Sequence, residues 1–202
     1  MNGAKFFDVD ECQLFYEKGL AIPSRTIYMG SEWSDREDKS EMGVDFRLAD
    51  HVIKGLHILN SMDNVNDISL ILNNVGGDEY HGLAIYDAIK VCLAPVNITV
   101  FGQVMSMGSV ILQAGNKRLL SPHATMMIHM GSLSLDIDQR DINAYKKEWD
   151  RMNGIVDDIY LTKLRTKNPR YSVNQLHDLL STDRFMGPQE VIELGLADEV
   201  LT

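Results

Sequence analysis

Gly102-Gln-Val-Met-Ser106-Met-Gly108-Ser109 is the stretch whose reading decides the fold, because a β-branched run ends there and a small-residue segment begins. Upstream, Val96-Asn-Ile-Thr-Val-Phe101 alternates as a buried strand does. Downstream, Val110-Ile-Leu-Gln-Ala-Gly115 reads as a short apolar helix with Gly115 in the C′ position. Ser106 is thereby placed at a helix N-terminus, where unbonded N–H groups point outward and the helix dipole favours developing negative charge. A serine in this position also fits a plain N-cap, so the rest of the chain has to decide between a cap and a nucleophile turn.

Composition narrows the field. With 202 residues, 45% of them apolar, the chain is expected to build a sizeable core in one domain. Its net charge of −10 and the lack of a Lys/Arg stripe with interleaved aromatics argue against nucleic acid or an anionic membrane as partner. Cys12 and Cys92 are too few for a disulfide framework or a zinc site, and no metal is expected. No apolar run approaches the roughly 20 residues of a membrane span, and the first ten residues lack a continuous apolar core. A cytoplasmic location is the expectation.

Outward from Ser106 the pattern alternates between β and α. Arg25-Thr-Ile-Tyr-Met29 reads as a strand, and Ser31 to Glu41 as a solvated charged loop. Leu48, Val52, Ile53, Leu56 and Leu59 recur at helical spacing, Asp67 to Leu72 is a buried strand, and Gly76-Gly77 breaks the pattern. A helix over Leu83 to Leu93 is stopped by Pro95, and Ala124-Thr-Met-Met-Ile-His129 is a further strand. Unbroken β/α alternation predicts parallel strands with ligands beyond their carboxyl ends. Gly76-Gly77, Ser106 and His129 all fall at such ends.

Hydrolysis by a hydroxyl needs a base in hydrogen-bond reach, a carboxylate to orient it, and donors preorganised for the oxyanion. His129 closes a strand, Asp183 precedes a helix starting at Gly187-Pro188, and glycines after a strand let a backbone N–H approach a ligand. Each of these has an everyday structural reading as well. His129 fits a satisfied core histidine, Asp183 a turn or cap carboxylate, and Gly76-Gly77 a tight turn.

Taken in order, Arg25-Thr-Ile-Tyr-Met-Gly30, Ile71-Leu-Asn-Asn-Val-Gly-Gly77, Gly82-Leu-Ala-Ile-Tyr-Asp87, Gly102-Gln-Val-Met-Ser-Met-Gly108, Met127-Ile-His129, Asp183-Arg-Phe-Met186 and Glu193-Leu-Gly-Leu-Ala-Asp-Glu-Val200 resemble the ClpP family, proteolytic subunits of ATP-dependent Clp proteases. The resemblance implies an α/β, crotonase-like fold of repeated β/α units with a protruding handle helix over about 136–167. It gives a divergent segment over 1–24 and one peptidase domain over 25–202. It also implies a serine endopeptidase with Ser106 as nucleophile, His129 as general base and Asp183 as orienting acid, and with the N–H groups of Gly77 and Met107 as oxyanion hole. Substrate is expected to add as a strand beside the glycine turn at Asp78 and the segment with Ser132 and Leu133. No cofactor is implied, since ATP is used by a separate AAA+ unfoldase of the ClpX or ClpA type. The expected partners are polypeptide substrates, that unfoldase and further copies of the chain in stacked heptameric rings.

The chain also departs from the family. Val75 replaces the usual Pro, and Asp78-Glu-Tyr-His81 is bulkier and more acidic than the common small residues. Met130-Gly131 stands for Gln-Pro, which predicts a looser loop after the base. The loop from Ser31 to Met42 is longer than usual, and Pro23 interrupts a segment commonly helical. Such departures suit a divergent or phage-type member. Three other readings stay open beside the main one: a capsid or scaffold maturation protease that needs no ATPase, a crotonase-type acyl-CoA enzyme, which requires no Ser/His/Asp set, and an inactive structural or regulatory ring subunit.

Ile142, Tyr145, Trp149, Met152, Val156 and Ile159 are spaced alternately three and four apart, a narrow seam of the kind that packs against a partner helix. Packing within the domain gives the same pattern. The resemblance places this helix between facing rings, so Tyr145, Trp149 and Met152 are the expected oligomer contacts.

Overall fold

The computed structural model describes residues 9–30, 43–131, 138 and 140–202. In chain order the elements are α1 (Val9–Lys18), β1 (Leu20–Ala21), β2 (Thr26–Met29), α2 (Phe46–Met62), β3 (Ile68–Asn74), α3 (Glu79–Val91), β4 (Val96–Met105) and α4 (Met107–Leu112). They continue with β5 (Lys117–Leu120), β6 (Thr125–Ile128), α5 (Ile142–Lys167), α6 (Val173–Leu180), β7 (Arg184–Met186), α7 (Pro188–Glu193) and β8 (Glu199–Val200). The charged stretch from Ser31 to Met42 and the first eight residues lie outside the described residues.

A mixed α/β fold results, with parallel pairs β2–β3, β3–β4, β4–β5, β4–β6 and β5–β8 at its centre. Two pairs are antiparallel, β1–β2 and β6–β7, so the expected unbroken β/α alternation does not hold. The first exception follows from chain length, since the turn through Pro23 between β1 and β2 is too short for a crossover. Leu20 and Ala21 of β1 are in the core, which binds part of the segment expected to diverge into the sheet.

β4 organises the site. Val96, Ile98, Val100 and Val104 are buried, the alternation of a strand facing a core on one side. Its first half pairs with β5 (Asn97 opposite Lys117 to Val100 opposite Leu120) and its last with β6 (Gln103 opposite Thr125 to Met105 opposite Met127). No helix separates β5 from β6. The chain jogs through Ser121 to Ala124 and runs on along the same edge of β4, in step with a bend at Gly102, where φ is +71°. The strand therefore continues past Phe101 to Met105, and the turn is confined to Ser106.

Two helix ends also differ from the sequence expectation. α4 closes at Leu112 with Gln113 as C-cap, so Gly115 is not its C′ residue. α3 begins at Glu79, four residues before Leu83, because the Asp78 carboxylate accepts the His81 N–H and starts the helix.

The core lies where α2, α3 and α4 cover one face of the sheet, with Leu56, Leu70, Ile85, Ile98 and Ile111 all buried. A buried polar chain locks the C-terminus to it. Arg118 binds Asp198 and donates to Gln113, while Gln113 donates to the Ser109 and Leu196 carbonyls. Burial opposes ionisation of Asp198, yet the Arg118 bonds and charge outweigh it and hold the carboxyl below its ordinary range.

Candidate active site

Strand register brings the three chemical side chains together. Ser106 follows the last residue of β4, His129 follows the last residue of β6, and Asp183 precedes the first residue of β7. The parallel pair Met105–Met127 sets Ser106 beside the end of β6, and the Ser106 N–H donates to the Met127 carbonyl at 2.8 Å. The antiparallel pair Ile128–Arg184 turns the chain so that the next step faces His129 toward Asp183.

The side chains complete the link. His129 Nε2 lies 2.8 Å from Ser106 Oγ, and its Nδ1 lies 3.1 Å from Asp183 Oδ1. An ionised carboxylate only accepts, so Nδ1 carries the proton that it donates to Asp183. Nε2 is then an acceptor, and the Ser106 hydroxyl donates to it. Asp183 is 61% exposed at its side chain and His129 is 27% exposed. Arg184, next along the chain, pairs with Glu190 of α7 and so does not compete for Asp183.

Ser106 occupies φ +47°, ψ −123°, outside the ordinary basins of an L-residue, and its side chain makes no cap bond to α4. The plain N-cap reading therefore fails. The hydroxyl is turned away from the helix and toward the histidine. Met107 opens α4, so its N–H is one of the first-turn donors that a helix leaves without an internal partner.

Gly76 and Gly77, at φ +95° and +147°, pass over this turn. A Cβ on Gly76 would fall 2.6 Å from Ser106 Cβ, and one on Gly77 would fall 2.4 Å from the Val44 carbonyl oxygen, so only glycine fits at both. Val44 clamps the segment from the far side, its N–H donating to Gly76 O and its carbonyl accepting from Asp78 N–H. The Asn74 side chain accepts the Gly76 N–H. Together these bonds fix the glycine turn against the turn at Ser106.

A groove of about 830 Å³ opens beside Ser106 and His129. Its lining includes apolar Met107, Val110, Val156 and Leu180, with Glu79 and Glu148 among the charged groups. Glu79 is half-buried, and desolvation first, then the nearby Asp78, push its carboxyl above the ordinary range. Glu148 is the opposite case. Hydrogen bonds from Arg151, then from Tyr80, hold it at about 2.

Asp78, expected beside the substrate strand, is present at the groove with its carboxylate engaged as the α3 cap. Ser132 and Leu133 lie outside the described residues. The segment directly after His129 is hemmed in at Met130 and Gly131, and the rest of the loop expected to be looser lies outside the described residues. A Cβ at Gly131 would stand 2.8 Å from Glu79 Oε1 and 3.2 Å from the Trp149 ring, and the Met130 N–H donates to the Leu180 carbonyl.

The long helix begins at Ile142, not near 136, and its seam divides. Met152 is 3% exposed and Trp149 packs beside Gly131, so both have partners in their own chain, whereas Ile142 and Tyr145 are 48% and 46% exposed. Three side chains lining the groove escaped the sequence reading: Tyr160, buried and bonded to Ser109, and the Asp157–His177 pair at 2.7 Å. Tyr160 and Asp157 sit at helical spacing on α5, which marks a face but not its chemistry. Among the described residues no group of three or more His, Cys, Asp or Glu is placed to hold a metal ion, and no helix is long and apolar enough to cross a membrane.

Comparison with known proteins decides the family. The model of the Clp protease family matches residues 38–202. The chain belongs to the Clp protease family, a family of serine endopeptidases. It is 35% identical over 160 residues to an ATP-dependent Clp protease proteolytic subunit of Deinococcus radiodurans, covering 78% of this chain and 76% of that one. A subunit of the same name from Streptococcus sanguinis is 32% identical over 162 residues, covering 78% and 80%. The family match begins after β2, so the Arg25 to Gly30 motif lies outside the matched span. The mixed, mostly parallel sheet is the ClpP-type fold expected from the sequence.

Proposed function

We propose that this Clp family member cleaves polypeptides with Ser106 as nucleophile, His129 as general base and Asp183 as the carboxylate that holds the histidine tautomer. The observation that carries the reading is the unbroken chain Ser106 Oγ, His129, Asp183 at 2.8 and 3.1 Å, with Ser106 strained and not capping its helix. In the first step Oγ bonds to the scissile carbonyl carbon while its proton passes to Nε2. The carbonyl π electrons move onto oxygen, where the N–H groups of Gly77 and Met107 receive the charge. The C–N bond then breaks, the amine leaving with the proton from Nε2. Water repeats the sequence on the acyl-enzyme and frees the acid. This chemistry needs no cofactor.

The substrate would lie extended in the groove, bonded through its backbone to the glycine turn and to the segment after His129, with apolar side chains on Val110 and Val156. Residues 25–202 act as one peptidase unit that carries β1 on its edge, and Ile142 and Tyr145 form the exposed part of a ring-to-ring contact between heptamers in the cytoplasm. A separate AAA+ unfoldase would consume ATP and feed the chamber. The test is a fluorophosphonate serine reagent combined with short-peptide hydrolysis. The adduct is expected on Ser106, and both adduct and hydrolysis should vanish in Ser106→Ala; peptidase activity surviving in that variant overturns the reading.

A further inference from the structure

Ser109 is fully buried on α4, and its Oγ lies 2.6 Å from the Ser106 carbonyl oxygen and 2.6 Å from the hydroxyl of Tyr160 on α5. Ser109 has one proton to give. A carbonyl can only accept, so that proton goes to Ser106 O, and the Tyr160 hydroxyl must donate into Ser109 Oγ. Burial pushes the Tyr160 phenol above its ordinary range, which keeps its proton in place.

The carbonyl so gripped belongs to the Ser106–Met107 peptide unit. All peptide bonds described are trans, and in a trans unit C=O and N–H point in opposite directions from one rigid plane. Fixing the carbonyl of Ser106 therefore fixes the direction of the Met107 N–H. Two backbone donors already meet this oxygen, Ser109 N–H at 2.9 Å and Val110 N–H at 3.4 Å. Both arise from the helical turn itself. The hydroxyl chain adds a link to a second helix, and a hydrogen bond at the carbonyl end polarises the unit so that its N–H becomes a better donor.

We infer that Ser109 and Tyr160 are positioning residues that aim and polarise the Met107 N–H toward the oxyanion. The inference rests on the serine peptidase reading above. It assigns the buried part of α5 a role in the chemical step as well as in packing. Ser109 is fully buried and Tyr160 only 2% exposed where it borders the groove, so the effect falls on the stabilisation of charge and not on ground-state binding.

The test uses the full-length protein and the variants Tyr160→Phe, Ser109→Ala, Ser109→Thr and the double Ser109→Ala/Tyr160→Phe. Short-peptide kcat and KM are read beside the affinity of a peptide boronate, whose adduct with a serine carries the transition-state charge, and of a non-covalent product peptide. In Tyr160→Phe and Ser109→Ala, kcat and boronate affinity are expected to fall together by roughly tenfold, less than the loss from deleting a whole oxyanion donor. KM and product-peptide affinity should stay unchanged. The double variant should be no worse than Ser109→Ala, because the tyrosine acts through the serine. Ser109→Thr, which keeps the hydroxyl, should retain boronate affinity. Unchanged kcat in folded Tyr160→Phe overturns the inference, as does equal weakening of boronate and product peptide, which would report general distortion. A wild-type protein that neither hydrolyses peptide nor labels at Ser106 removes the peptidase reading, and this inference with it.

Discussion

His129 and Asp183 meet because β6 and β7 run antiparallel in a register that pairs Ile128 with Arg184, so one further step along the ladder sets imidazole and carboxylate side by side at 3.1 Å. Their contact is thus a property of the sheet. Asp183 is the most exposed of the three site residues, and water can reach the Nδ1–H when it is removed. Ser106→Ala and His129→Ala are expected to abolish peptide hydrolysis to the same extent, and Asp183→Ala to leave a measurable remnant with KM unchanged. Combining any two should cost no more than Ser106→Ala alone. A full set of single and double variants assayed on one peptide checks this, and additive losses would contradict it.

Backbone strain at Ser106 makes a separate prediction about stability. Its φ of +47° and ψ of −123° belong to glycine territory, and holding an L-residue there costs on the order of 1–3 kcal/mol. Because no cap bond is lost, Ser106→Ala should leave the unfolding midpoint unchanged. Ser106→Gly should raise stability by about 1 kcal/mol, after the entropy of the added glycine is deducted, while hydrolysis disappears. Denaturant unfolding of the three proteins decides the matter.

Much of this site was legible because its residues carry local signatures. A β-branched run, a small-residue helix and two glycines each mark a strand end, and the family resemblance ordered them. What stayed hidden depends on contacts distant in sequence. The bend that hands β4 from β5 to β6 arises where Ser121 to Ala124 jogs, and nothing in the alternation of Val96 to Phe101 announces it. The helical seam through Met152 and Ile159 gave a face, but whether that face meets a partner chain or its own core depends on how α5 docks against α4 and α6. Gly115 imitated a C′ residue because composition cannot show that α4 had already closed at Leu112.

Assembly is best tested where the seam remains open. Trp149 packs beside Gly131 at the groove, so changing it would disturb the site as well as any contact. Ile142 is exposed at the start of α5, and a charge placed there has no apolar cost in the isolated chain. If that surface joins two rings, Ile142→Glu would bury a charge against an apolar partner at several kcal/mol per contact. Native mass measurement should then show smaller species with intact fluorophosphonate labelling. An unchanged mass would remove Ile142 from the contact.

Glu79 gives the pH dependence its sign. Burial raises the folded-state pKa of this carboxyl above that of the unfolded chain, so the stability it contributes is fully present below the ordinary glutamate value and is lost as pH rises through the folded value. At neutral pH the buried charge is therefore a cost. Glu79→Gln should melt higher than wild type at pH 7, and the difference should shrink to nothing below about pH 4. The same charge faces the groove beside Gly131, where it repels acidic side chains of a bound peptide. Peptides with Asp or Glu next to the scissile bond should be cleaved faster by Glu79→Gln than by wild type, with the gap narrowing as salt screens the repulsion. Melting curves across pH and a paired peptide series measure the two effects independently. A wild-type preference for acidic residues beside the cleavage point would show that Glu79 does not face the substrate.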